Sequence, residues 1–139
     1  MAKREANTDL WVYDMLKDVG LDKNFSAQGS TIKEINEALS TASKRKTGRV
    51  GFPEYVGVIK DFLIIIENKA DTSRHVNRYE NQLIKDDTKS VTDYALNGAL
   101  FYGLHLSKNK KKKKIIVLGI SGNEKNHIIS PIFVDERGN

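Results

Sequence analysis

Two short apolar runs constrain this chain more than anything else in it: Phe62–Ile66 and Ile115–Leu118. A strand with one wet face alternates polar and apolar side chains. A strand apolar at every position must be covered on both faces, so each run reads as an interior strand of a sheet. Between them, Thr92–Leu106 reads as one long helix in which Ala95, Gly98 and Ala99 are small enough for close packing on a sheet. Two buried strands joined through a helix imply a right-handed crossover and parallel pairing. Both runs are far shorter than the roughly 18 apolar residues of a membrane span, and Met1-Ala2-Lys3-Arg4-Glu5 has no apolar stretch of signal-peptide type. The expectation is a cytoplasmic protein with no membrane partner.

The rest of the chain arranges itself around that pair. Trp11, Val12, Met15, Leu16 and Val19 recur at helical spacing over Leu10–Val19, with Asn7 or Thr8 as cap and Gly20 as stop. Thr31 and Glu34 have capping-box spacing, and Ile32, Ile35, Leu39 and Ala42 form one stripe, which predicts a second helix to about Thr41. Both stripes are expected to face the core. Residues 43–51 are basic and contain two glycines, which breaks the helical pattern. Tyr55–Ile59 is the next strand, and Lys60-Asp61 a hairpin turn into Phe62. Residues 70–89 are polar without a clear period, and His127–Val134 returns across Gly122-Asn123 as an edge strand, because Pro131 has no amide donor. With 39% hydrophobic and 29% charged residues in 139, the expectation is one globular α/β (α+β) domain over 1–139, a mixed β-sheet flanked by helices.

There is no cysteine, so disulfides, thiolate nucleophiles and cysteine zinc sites are excluded. The net charge is +5, but six positive charges sit at Lys108 and Lys110–Lys114, so the remainder sums to −1. Lys44, Arg45, Lys46 and Arg49 make a second cluster. Two basic clusters suit a polyanion such as nucleic acid; each also suits a solvated loop, and the lysine run could simply keep an adjacent apolar strand soluble.

The central apolar strand ends abruptly in Glu67-Asn68-Lys69. Alternation puts Glu67 and Lys69 on one face and Asn68 on the other. If the hairpin closes around Lys60-Asp61, residue 59 pairs with 62, 56 with 65 and 54 with 67, which sets Glu54 beside Glu67. Opposed β-carbons are about 4.5–5.5 Å apart, and at an effective dielectric of 20 two like charges about 4 Å apart repel by ~4 kcal/mol. A shared proton, Lys69 or a divalent cation could offset that repulsion. The cation is favoured, since paired carboxylates and a main-chain carbonyl are the hard oxygen donors of Mg²⁺ or Mn²⁺. The plain alternative is a surface Glu67–Lys69 ion pair with Glu54 exposed.

Taken together, Gly51-Phe52-Pro53-Glu54, the strand pair and Glu67-Asn68-Lys69 resemble the PD-(D/E)XK nuclease superfamily. Pro53-Glu54 stands in its first motif, and twelve residues separate it from Glu67-Asn68-Lys69 in its second. Glu54 departs from the usual Asp by one methylene. Together with Tyr94–Tyr102, these segments look closest to the N-terminal endonuclease domains of restriction-modification enzymes, the type I motor subunits and fused endonuclease-methyltransferases. The resemblance implies a restriction-endonuclease-like core and Mg²⁺-dependent, or Mn²⁺-dependent, hydrolysis of DNA. Glu54, Glu67 and the Asn68 main-chain carbonyl would hold the metal, and Lys69 would act on the water. Glu5 resembles a supporting acid near the first helix, with Asp9 as a nearby competitor. The chain would be an N-terminal fragment of a larger protein.

Other residues have two readings each. Tyr94 and Tyr102 either reach the site from the long helix or pack in the core; Gln82 either touches DNA or is solvated. His75, His105 and His127 lack metal-ligand spacing. Asn123 interrupts Gly119-Ile120-Ser121-Gly122 where a nucleophile elbow needs glycine. No phosphate loop and no Gly-rich methyl-donor fingerprint is present, so motor, methyltransferase and specificity functions would be partners on sequence elsewhere. The rival function is a noncatalytic nucleic-acid-binding or docking module on the same fold.

Overall fold

The computed structural model describes residues 3–27, 53–109 and 114–134. The described residues form a sheet in the order β1 (Phe25–Ala27), β2 (Tyr55–Ile59), β3 (Phe62–Lys69), β4 (Lys114–Gly122) and β5 (His127–Val134). β3 and β4 are parallel and the other neighbours antiparallel. Both apolar runs therefore lie inside the sheet, as expected of strands with no polar side to present to water. β5 lies at the edge with Pro131 opposite Leu118, and Lys60 takes φ 54° in the turn between β2 and β3.

Helices cover both faces, giving a mixed α+β architecture compatible with a restriction-endonuclease-like core. On one face, Leu96, Ala99, Tyr102 and Leu106 pack with Val56, Leu63, Ile65, Ile115, Val117 and Val134. On the other, helix α1 (Lys3–Asp18) sets Val12 against Tyr55, Ile66 and Ile120, with Trp11, Met15 and Leu16 at the margin.

Three expectations about helices change. α1 begins at Lys3, so Asn7 and Thr8 are inside it and cap nothing. Thr8 is buried instead, its hydroxyl donating to the Gly122 carbonyl at 2.8 Å. Val19 does not join the apolar stripe; it lies past the end of α1 and is 68% exposed. The long helix is two helices, α2 (Thr88–Asp93) and α3 (Ala95–Asn109). Tyr94 is extended between them (φ −118°, ψ 138°). The break follows from competing hydrogen bonds: the Leu96 amide donates to the His75 carbonyl, and the Asn97 side chain bonds Asn77 N–H, Asn77 C=O and Lys85 C=O. These bonds tie the start of α3 to the preceding loop. The helix expected near Thr31–Thr41 and the cluster Lys44, Arg45, Lys46, Arg49 lie outside the described residues. No described helix is long and apolar enough to cross a membrane.

Candidate active site

β2 and β3 pair as Ile59↔Phe62, Val56↔Ile65 and Tyr55↔Ile66, the register that sets Glu54 against Glu67. β2 itself starts at Tyr55, so Glu54 joins through its main chain: its amide donates to Glu67 Oε1 at 2.9 Å. Glu67 is 5% exposed and Glu54 half-buried. The surface ion-pair alternative is thereby set aside, because Glu67 is not at the surface. Lys69, half-buried, follows two residues on, and its charge acts on Asp9.

Gly119 explains how a helix comes so close to this point. It is the β4 neighbour of Glu67, and a β-carbon there would lie 2.7 Å from the backbone of Leu96 in the first turn of α3. Only glycine lets the start of α3 rest directly on the sheet beside the carboxylate.

α1 brings a third acid. Asp9 Oδ1 accepts from Asn68 Nδ2 at 2.8 Å, and the Asp9 carbonyl accepts from the Tyr55 hydroxyl at 2.9 Å. Burial raises the Asp9 carboxyl above the usual carboxylate range; hydrogen bonds to Asn68 and Glu54 oppose that shift, the Glu67 charge adds to it, and Lys69 opposes it. Sequence reasoning weighed Asp9 only as a competitor of Glu5, whose side chain lies outside the described part of the molecule. The signal available was spacing: Asp9 precedes the buried Val12 by one helical turn, on the side of α1 that meets the sheet.

Two tyrosines border the acids. Tyr55 is pushed up to about 12 by burial and by the charges of Asp9 and Glu54. Tyr102 belongs to the core and is 2% exposed, and burial, then Glu67 and Glu54, drive its hydroxyl well above the ordinary tyrosine range. It is thus both a core residue and a neighbour of the carboxylates. Tyr94 carries Arg74 over its ring at 5.7 Å. Gln82 is exposed on a turn with φ 73°, its carbonyl held by Arg78 at 2.7 Å. Lys114 pairs with Phe62, five residues before Glu67. At ~3.3 Å per residue that is about 17 Å from it, at the opposite end of the strand. Lys110, Lys111, Lys112 and Lys113 lie outside the described residues. A cavity of about 360 Å³ beside α3, lined by Ile84, Asp86, Val91, Leu100, Phe101 and Lys108 among others, contains none of Asp9, Glu54 and Glu67.

Among the described residues, no three His, Cys, Asp or Glu side chains gather closely enough to hold a metal by themselves. Mg²⁺ does not demand that. It is usually held by one or two carboxylates, with waters and substrate phosphates completing its shell. Glu54, Glu67 and a main-chain carbonyl in the part of β3 beyond the last β2 pairing are a hard-oxygen set that fits such an ion.

The fold and the acids at the end of its central strand define a mixed α+β domain with a polar cluster at one end of its core. The chain is 33% identical over 138 residues to the type II restriction enzyme and methyltransferase RM.BcgI of Heyndrickxia coagulans. That match covers 98% of this chain and 21% of the relative, so the chain spans about a fifth of the length of the protein it matches. It supports a relationship to restriction-modification enzymes. No family model matches the chain, and no solved structure matches it.

Proposed function

We propose that this chain is a metal-dependent endonuclease domain of PD-(D/E)XK type that hydrolyses DNA phosphodiester bonds in a restriction-modification system. The observation that carries the reading is the pairing of Glu54 with buried Glu67 where the central strand turns polar. A buried carboxylate with a second acid beside it is a setting in which a divalent cation would offset the crowded negative charge. The similarity to RM.BcgI supplies the substrate class.

Glu54, Glu67 and the Asn68 carbonyl would hold Mg²⁺, with Mn²⁺ as a substitute. When bound, such an ion supplies positive charge that draws a phosphate oxygen and acidifies water. Lys69 shares a face with Glu67 and would orient the attacking water and stabilise charge growing on the phosphate. Water oxygen would bond to phosphorus and release one proton to solvent, the phosphorus–oxygen bond to the leaving strand would break, and the departing oxygen would take up one proton, so that the two products together gain one water. Glu54 N–H fixes one oxygen of Glu67, which holds that carboxylate's orientation before substrate arrives. Lys110–Lys114 and the cluster Lys44, Arg45, Lys46 and Arg49 would contact DNA phosphates. Methyltransferase, motor or specificity functions would be partners on other sequence.

Plasmid cleavage with Mg²⁺ or Mn²⁺ against an EDTA control tests the reading. Metal-dependent nicking is expected, with Glu67→Ala and Lys69→Ala losing it while retaining DNA binding. Cleavage that is absent from the wild type, or that survives Glu67→Ala, contradicts it.

A further inference from the structure

The side chain of Asn68 is 1% exposed, and as the odd residue of the Glu67-Asn68-Lys69 triplet it points to the α1 face. A residue packed there only to fill space would be apolar, like Ile64 and Ile66 before it on that face. An amide carries two donors and an acceptor that burial must satisfy. Asn68 meets this in part: Nδ2 donates to Asp9 Oδ1 at 2.8 Å, while Oδ1 has no partner among the described residues. An orphaned buried acceptor is a cost that packing alone would not choose.

The backbone explains the need for such an anchor. Beyond Tyr55↔Ile66 the β2 ladder stops, so among the described residues, 67–69 are laddered on one side only, by Gly119, Ile120 and Ser121 of β4. Asp9, by contrast, is held firmly. Its carbonyl takes the Tyr55 hydroxyl at the start of β2, Thr8 beside it bonds Gly122 at the end of β4, and Val12 one turn later is buried in the core. Residues 8, 9 and 12 of α1 thus connect to the ends of three strands; Val12 packs against Ile66 of β3, and the hydrogen bond from this part of α1 to the end of β3 is Asp9–Asn68.

We infer that Asp9 is a positioning residue: through its bond to the Asn68 side chain, α1 fixes the end of β3 that extends beyond the β2 ladder and thereby aims the Asn68 carbonyl, Glu67 and Lys69. This rests on the nuclease reading for its consequence in catalysis, and on the structure alone for its consequence in backbone order. The bond has an acceptor on α1 and a donor on β3; exchanging the two residues keeps it, reversed, with the same net charge.

The test compares Asp9→Ala, Asn68→Asp and the exchange Asp9→Asn/Asn68→Asp in three measurements. The first is hydrogen exchange of the peptide containing residues 67–69 in metal-free protein. The second is Mn²⁺ binding by calorimetry without DNA, and the third is the Mg²⁺ concentration for half-maximal cleavage. Each single substitution should speed exchange at 67–69, weaken Mn²⁺ binding about tenfold and raise the Mg²⁺ requirement by about the same factor. The exchange variant should restore all three to within about threefold of wild type. Unchanged exchange at 67–69 in Asp9→Ala overturns the inference, as does an exchange variant no better than Asn68→Asp. The latter comparison stands even if Asp9→Ala does not fold. A wild type that neither binds Mn²⁺ nor cuts would sink the nuclease reading alone, since hydrogen exchange still reports whether Asp9 orders the strand.

Discussion

The two halves of β3 make opposite use of the same position in the molecule. Leu63, Ile65 and Ile66 are 0–1% exposed and surrounded by carbon. Glu67 and Asn68 are 5% and 1% exposed and surrounded by other polar groups. Depth is nearly equal, and the energetic sense is reversed. Burying the first half drives folding by roughly 25 cal/mol per Å² of apolar surface. Burying the second costs free energy, which Glu54 N–H, Asp9 and neighbouring backbone offset only in part. A strand that could have stayed apolar to its end is polar where the acids meet, as expected when stability is given up for a site.

Substitutions along and beside the strand should separate the two halves, with effects on stability falling toward the site. Ile65→Ala opens a cavity in the dry half and should cost ~2–5 kcal/mol in denaturant unfolding; a loss under about 1 kcal/mol would mean the core is not packed as described. Gly119→Ala should follow at ~1–3 kcal/mol, because its methyl meets the Leu96 backbone rather than a movable side chain. His75 gives a smaller, pH-gated effect. Its ring lies between the Ser121 and Ser130 hydroxyls, each 2.8 Å away, and burial lowers its pKa below the usual 6.5. The unfolded chain then takes up a proton below about pH 6.5 that the folded protein resists. The wild type should be steady above that pH and lose stability as pH falls through it, and His75→Gln should show a shallower acid decline in pH-dependent melting. Glu67→Gln should alter stability least, within about 1 kcal/mol and in the favourable direction, since its Oε1 still accepts from Glu54 N–H and a crowded negative charge is gone. Cleavage by the same variant should fall at least about a hundredfold. Equal destabilisation by Glu67→Gln and Ile65→Ala would erase the distinction between the halves.

The legible parts of the fold were those where a side-chain pattern has one physical solution. Continuous apolar runs can only be interior strands; a helix between them makes them parallel; the two-residue turn at Lys60-Asp61 fixes the register that faces Glu54 toward Glu67. Val19 and Tyr94 were misread because local spacing there yields to bonds made elsewhere. The helix ends before Val19, and Tyr94 stands where Asn97 and Leu96 are claimed by a distant loop. Asp9 illustrates the same limit at the site. Its spacing from Val12 gives the side of the helix, but its partner Asn68 lies 59 positions away, where no local pattern reaches.

The amino-acid order alone thus determined the central strands, their direction and the meeting of two acids, since hydrophobic periodicity and hairpin geometry act over a few neighbouring residues. Which helix residue joins those acids, which tyrosine lies against them and how deeply Glu67 is enclosed were decided only when α1 and α3 closed on opposite faces of the sheet. Those are distances between segments far apart in the chain, and no local preference encodes them.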